Sequence, residues 1–205
     1  MSLFPMFVKL AGRRVVVVGG GEIAAGKMEA LLGAEAKVVV VSPAVNAQVA
    51  GFVRERKIEW LPKEFSADDL EGAFLVIAAT SVPSVNDSVY RAADSLGLLC
   101  NAVDDIENCH FYYGSVVQRG DLQIAISTNG KSPALAQRLR KELEGQFGPE
   151  YENWLEWLGA ARDVLRSSGA SQVQNKEVLH SLASRESFER FLAEASRKPS
   201  TEGVE

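Results

Sequence analysis

Between Arg13 and about Asp105, short and wholly apolar runs alternate with longer segments in which apolar and polar residues mix at helical spacing. RVVVVGG leads into AAGKMEALLGA, AKVVVVS into NAQVAGFVRER, FLVIAAT into VNDSVYRAADSLG, and LLCNAVDD closes the series. Runs such as Val15–Val18 and Val38–Val41 do not alternate, and a strand reads this way when both of its faces are buried, as in a parallel sheet covered by helices. Strand and helix repeated in this order predict an α/β fold with a doubly wound, Rossmann-like parallel sheet.

After about Gly114 the pattern changes. SVVQRGDLQIAIST predicts two strands around Arg119-Gly120-Asp121. A helix then begins at SPALAQRLRKELE, with Ser132 as N-cap, Pro133 at the first helical position and Leu135 and Leu139 one turn apart. A hairpin plus one helix is too small for a core of its own and packs on a neighbour or on its copy in a dimer. From Tyr151 to Arg166 the residues Trp154, Trp157, Leu158, Ala161 and Leu165 form one apolar stripe at helical spacing. SSGASQ interrupts it, a second helix is expected through Val178, Leu179, Leu182, Phe188, Phe191 and Leu192, and RKPSTEGVE reads as a frayed tail. The expected division is residues 1–114 as a nucleotide-binding Rossmann domain, 115–146 as a dimerisation segment, and 147–205 as a C-terminal helical region.

Composition narrows the partners. The chain has 205 residues, 46% of them hydrophobic and 24% charged, as in ordinary soluble globular proteins. A net charge of −5 leaves no cation excess to displace counterions from nucleic acid or to hold an anionic membrane. Any anion site must therefore be local. No apolar run approaches the roughly 20 residues that span a bilayer, and no basic region followed by an apolar core opens the chain, so a cytoplasmic protein is expected. Two cysteines, Cys100 and Cys109, are too few for a disulfide framework or a closed zinc site.

Local anion chemistry is offered by VVVVGGGEIAAGK. Gly19, Gly21 and Ala24 fit G-x-G-x-x-G/A at the end of the first expected strand: the first permits the tight turn, the second lets a pyrophosphate approach the backbone, and the small third lets helix and strand pack. The N–H groups around Glu22, Ile23 and Ala24 open the helix and offer partial positive charge to phosphate. Dinucleotide sites that grip the ribose of NAD carry Asp or Glu about 20 residues on. Ser42-Pro43 stands there instead. The Ser42 hydroxyl can bond a ribose, no arginine beside it holds the extra phosphate of NADP, and NAD is favoured.

FPMFVKLAGRRVVVVGGGEIAAGK, AATSVPSVN, CNAVDD and above all ISTNGKSPALAQRLRKELE resemble, collinearly from about Phe4 to Glu144, the precorrin-2 dehydrogenase family, which includes the siroheme-synthase N-terminal module. The most particular segment is S-T-x-G-x-S-P at Ser127–Pro133. The resemblance implies NAD-dependent oxidation of the tetrapyrrole precorrin-2 to sirohydrochlorin, with ferrous iron insertion in some members. It also implies a homodimer in which the segment after the Rossmann unit exchanges between subunits, and C-terminal helices that help cover the active-site cleft. A non-catalytic NAD-sensing module is the alternative that the fold alone would allow.

Residue by residue, Asp104 stands at the sheet edge where ligands bind, and a carboxylate there can take the proton that accompanies hydride loss. The family resemblance points to Asp104 for oxidation and chelation alike, with Asp105 the competing assignment. Thr80 is expected to contact cofactor; Asn101 is expected to face the same cleft, and Asn86 to bond either cofactor or its own turn. Ser127, Thr128, Asn129, Lys131 and Ser132 supply hydroxyls, N–H groups and an ammonium suited to a substrate rich in carboxylates, with Ser132 also readable as a simple cap. Thr128 departs from the serine of some relatives, and Gly26 from their usual arginine. His110, with Cys109 beside it, reads either as a metal or proton relay with Asp104 or as a solvated loop histidine beside an inert thiol. Cys100 and the tryptophans read as packing residues, and Lys27 as a solvated helix lysine.

Overall fold

The computed structural model describes residues 3–169 and 171–197, so all but the first residue of the expected tail lies outside the described residues. The chain divides into two compact units, Met1–Tyr113 and Gly114–Glu205.

The first unit is built on five parallel strands, β1 (Arg14–Val18), β2 (Lys37–Val41), β3 (Ile58–Leu61), β4 (Leu75–Ala78) and β5 (Leu99–Ala102). Their order is β3-β2-β1-β4-β5. The chain winds outward from β1 to β3, then returns to β4 on the other side of β1. The direction of winding therefore reverses between β1 and β4, and a crevice opens at their C-terminal ends.

Burial on both faces explains the unbroken valine runs. Val15, Val17, Val38 and Val40 pack with Ala24, Ala25, Met28 and Leu31 of α1 (Glu22–Gly33) and Val49 of α2 (Ala47–Arg54). Val16, Val18, Val41 and Val76 face the other way, against Val89 and Ala93 of α3 (Pro83–Ser95). The strand β3 escapes the sequence pattern because IEWL is a short, half-buried edge strand. A 3₁₀ turn at Ala67–Leu70 follows it.

In the second unit, β6 (Ser115–Arg119) and β7 (Leu122–Ile126) pair antiparallel around Gly120, with Val117 opposite Ile124. The helix α4 (Pro133–Gln146) starts as expected, the Ser132 hydroxyl accepting from the Leu135 N–H at 3.2 Å. Arg119 closes its other end, donating to the carbonyls of Phe147 at 2.8 Å and Glu144 at 3.2 Å. Then come α5 (Glu150–Ser167), α6 (Gln172–Leu182) and α7 (Arg185–Ala195). The single helix expected through Val178 to Leu192 is thus two. Ser184 breaks it by capping α7, accepting from the Ser187 N–H at 3.2 Å. Trp154 packs at 4.8 Å on Phe188 and Trp157 at 6.1 Å on Phe191, tying α5 to α7.

Candidate dinucleotide site and the turn after the fifth strand

At the crevice lies a cleft of about 880 Å³, within the range of ligand pockets. Gly19, Gly20 and Gly21 form its floor. Gly19 takes φ +122°, and a Cβ there would lie 2.7 Å from the Ala79 carbonyl carbon. Gly20, the unassigned position of the motif, is equally confined, since a Cβ would meet Val45 Cα at 2.9 Å. Gly21 is different: a Cβ there would meet nothing within 4 Å. It is the N-cap of α1 and supplies no side-chain cap. The first N–H groups of α1 are therefore left to a ligand, with the helix dipole behind them. A pyrophosphate fits this cradle of bare backbone and open space.

The other sequence-derived residues divide. Glu22, Ile23, Ser42, Pro43 and Thr80 line the cleft. Ala24 does not; it is buried in the core behind it and serves as the small packing residue between α1 and β1. The Ser42 hydroxyl donates to Ala44 O at 2.7 Å and Thr80 Oγ1 donates to Asn86 Oδ1 at 2.7 Å, so both hydroxyls shape their turns and leave oxygen lone pairs to accept. Asn86 also accepts from the Thr80 N–H and donates to Thr80 O, each at 3.1 Å, which is the turn-bonding alternative. Glu64 and Phe65, contributed by the loop after β3, also line the cleft and were not foreseen. Recognising IEWL as a strand would have placed them there. The neighbouring Lys63 turns to Asp69, at 2.6 Å, so the cleft's charged lining residues are Glu22 and Glu64.

The loop after β5 folds back along it. Asn101 pairs with Cys109, and the His110 N–H donates to Cys100 O at 2.8 Å. Asn101 is buried and donates to Phe111 O at 2.8 Å; it holds this return segment and does not face the cleft. Asp105 accepts from both the backbone and the side-chain N–H groups of Asn108, at 3.3 and 2.7 Å. Asp104, one residue earlier, takes φ +62°, is exposed, and among the described residues its carboxylate accepts no hydrogen bond. The turn thus engages Asp105 and presents Asp104.

His110 is not part of a relay with Asp104. Its Nδ1 accepts from the Cys100 N–H at 3.1 Å, its Nε2 lies 3.1 Å from Asp94 Oδ1, and its ring stacks on Tyr90 at 4.9 Å. With Nδ1 committed as acceptor, the proton of the neutral ring sits on Nε2. Among the described residues no cluster of His, Cys, Asp and Glu has the makings of a metal site. The Cys109 thiol donates within the turn, to Ala102 O and Asp105 O, and burial pushes its pKa up. Cys100 is core, its thiol pushed by burial to about 12.

Lys27 departs from the solvated lysine expected of it. It is half-buried, with Nζ 3.7 Å from the centroid of the Tyr113 ring. Burial lowers its pKa, while Asp104 and then Cys109 pull it back up. No helical periodicity signals such a contact, because its partner lies on a loop far along the chain.

In the second unit, Ser127–Ser132 forms a compact turn. Asn129 and Gly130 have φ of +52° and +73°. The Ser127 hydroxyl accepts from the Asn129 N–H and that of Thr128 from the Ser132 N–H, each at 3.2 Å. Lys131 is exposed.

Comparison with known proteins decides the family. The family described as "Putative NAD(P)-binding" matches residues 6–115, more than half of the chain. The chain belongs to this NAD(P)-binding family. Residues 119–146 further match the family described as "Sirohaem biosynthesis protein central". Siroheme synthase of Neisseria meningitidis serogroup C is 40% identical over 176 residues, covering 86% of this chain and 36% of the relative. That of Mannheimia succiniciproducens is 37% identical over 188 residues, covering 92% and 37%. The chain thus spans well under half the length of these curated relatives. Among solved structures, SirC, a precorrin-2 dehydrogenase, is 26% identical with a TM-score of 0.79, covering 96% of this chain and 100% of that one. No helix among the described residues is long and apolar enough to cross a membrane.

Proposed function

We propose that this NAD(P)-binding family member is a precorrin-2 dehydrogenase: with NAD it oxidises precorrin-2 to sirohydrochlorin in siroheme biosynthesis. The observation that carries the reading is the Asp104 turn, which presents a carboxylate that accepts no hydrogen bond among the described residues, at the same strand-end edge as an uncapped helix and an open Gly21. The likeness to SirC over nearly the whole chain supports it.

Bound NAD supplies the hydride acceptor. The residues of this chain do the rest. The α1 N-terminus and Gly21 hold the pyrophosphate, Gly19 and Gly20 let the two turns close under it, and Ser42, Pro43 and Thr80 flank the nucleoside parts. Asp104 takes the proton released as the hydride leaves, or orients the ring that loses it. With only carboxylates among the charged groups lining the cleft, the additional phosphate of NADP would meet like charge, which favours NAD. Ser127, Thr128 and Ser132 offer hydroxyl O–H donors, Asn129 a side-chain amide and Lys131 an ammonium to the substrate's carboxylates.

The working form in this reading is a homodimer. Among the described residues of the second unit, only Val117 and Ala136 are buried, while Val116, Leu135 and Trp157 are each exposed by 40% or more. So small a core fits a unit completed by a partner copy.

The test is anaerobic mixing of the purified protein with precorrin-2 and NAD, following NADH absorbance and the sirohydrochlorin spectrum. Both signals together are expected. NAD binding without NADH formation would refute the dehydrogenase reading in favour of a cofactor-sensing module. Ferrous iron added afterwards, with Asp104→Ala as control, tests chelation, in which iron is a substrate.

A further inference from the structure

Lys27 is a charged group that the proposed chemistry leaves unused. It does not line the dinucleotide cleft, so a role in holding the pyrophosphate does not explain it. Among the described residues its ammonium makes no hydrogen bond and no ion pair, and its close contact is the Tyr113 ring face at 3.7 Å. Burial holds the Tyr113 phenol up at about 12, so this ring is neutral across the physiological range and cannot act as a counter-ion. A half-buried ammonium with one aromatic face as its partner has lost water and gained little in exchange. It retains donors with no acceptor, fixed in place by the ring beneath. The same return loop carries both Tyr113 and the Asp104 turn, and the negative charge of Asp104 favours the charged form of the ammonium. A cation so placed can receive an incoming anion beside the carboxylate that handles the proton.

We propose that Lys27 is a substrate-binding residue whose ammonium, seated on Tyr113 near the Asp104 turn, takes one carboxylate of the anionic macrocycle and sets which ring meets Asp104. The inference rests on the tetrapyrrole reading above. It adds an ammonium in the first unit to that of Lys131 in the second.

The test uses the full chain with NAD present and titrates uroporphyrin, a stable octacarboxylate porphyrin that cannot be turned over, alongside its uncharged octamethyl ester in detergent-free co-solvent. In Lys27→Met, which removes the charge and keeps an unbranched side chain, the dissociation constant for the octacarboxylate should rise about tenfold to hundredfold, the share of one charge-assisted contact. Affinity for the ester and for NAD should be unchanged, and Lys27→Arg should restore most of the loss. Equal octacarboxylate affinity in wild type and Lys27→Met overturns the inference and leaves the dehydrogenase reading standing. Should Lys27→Met fail to fold, Lys27→Gln takes its place: weaker octacarboxylate binding with NAD affinity kept supports the anchor, and unchanged octacarboxylate binding overturns it. A wild type that binds NAD but neither porphyrin overturns both readings together.

Discussion

Gly20 and Gly21 are adjacent, and alanine at the two positions should have opposite effects. At Gly20 a methyl would lie 2.9 Å from both Val45 Cα and Val45 Cγ1 and still closer to Ala44 O. Ala44 O and Val45 Cα are backbone, and Asn46 N is tied to Gly20 O at 2.8 Å, so the turn after β2 cannot yield without breaking that bond. Overpacking against a fixed backbone costs about 2–3 kcal/mol. At 2–4 °C per kcal/mol for a chain of this size, Gly20→Ala should melt roughly 4–12 °C lower. At Gly21 the methyl meets nothing and φ is −84°, a value any residue accepts. Loss of glycine at the N-cap and reduced freedom of the unfolded chain offset each other to within about 0.5 kcal/mol. Gly21→Ala should therefore melt within about 2 °C of wild type, yet place its methyl where the pyrophosphate approaches and weaken NAD at least about tenfold. Thermal unfolding by circular dichroism and calorimetric titration with NAD read the two effects separately. A stable Gly20→Ala, or a Gly21→Ala that binds NAD like wild type, would refute the assignment of packing to the first and ligand approach to the second.

Asp104→Asn should keep NAD affinity while turnover falls about a hundredfold or more, measured as NADH production; unchanged turnover would remove Asp104 from the chemistry. Asp105→Ala should instead lower stability by about 1–2 kcal/mol through loss of its bonds to Asn108, seen in urea unfolding. Glu64→Arg should move the ratio of NAD to NADP dissociation constants toward NADP by about tenfold, and no movement would exclude Glu64 from the nucleoside end. At Asp69, desolvation raises the pKa, but hydrogen bonds from Lys63 and Ser66 outweigh it and hold the carboxyl below its ordinary 3.8. Its stabilising share is then present above that value and lost as pH falls through the lower folded value. Asp69→Asn should accordingly flatten the acid limb of the stability curve.

The strands most legible in the sequence were those buried on both faces, because the apolar run alone marks them. β3 was missed since an edge strand with one wet face carries a short mixed pattern, and with it went Glu64 and Phe65. The glycine turn was legible at Gly19, where the backbone dictates the residue, and at Gly21, where the approach of a ligand does. The demand for glycine at position 20 was not, since it arises from Ala44 and Val45 on another loop. Asp104 and Asp105 are indistinguishable in a string of letters; only the path of the turn separates the aspartate that bonds Asn108 from the one that does not. Lys27 and Asn101 misled for a related reason, because each is defined by residues of the return loop. The break between α6 and α7 was written in Ser184, but the apolar spacing on either side continued through it.

The left-handed backbone at Asp104 also bears on how this protein would evolve. At φ +62° most side chains strain the turn, whereas asparagine and glycine, like aspartate, are tolerated. Both lie a single nucleotide from either aspartate codon. Loss of the carboxylate through them would leave the turn, the sheet and the dinucleotide cleft intact. If Asp104 carries the proposed proton transfer, a lineage could shed that reaction in one mutational step while keeping a folded protein with its dinucleotide cleft, and such descendants would be recognised by Asn or Gly at this position beside an unchanged Gly19–Gly21.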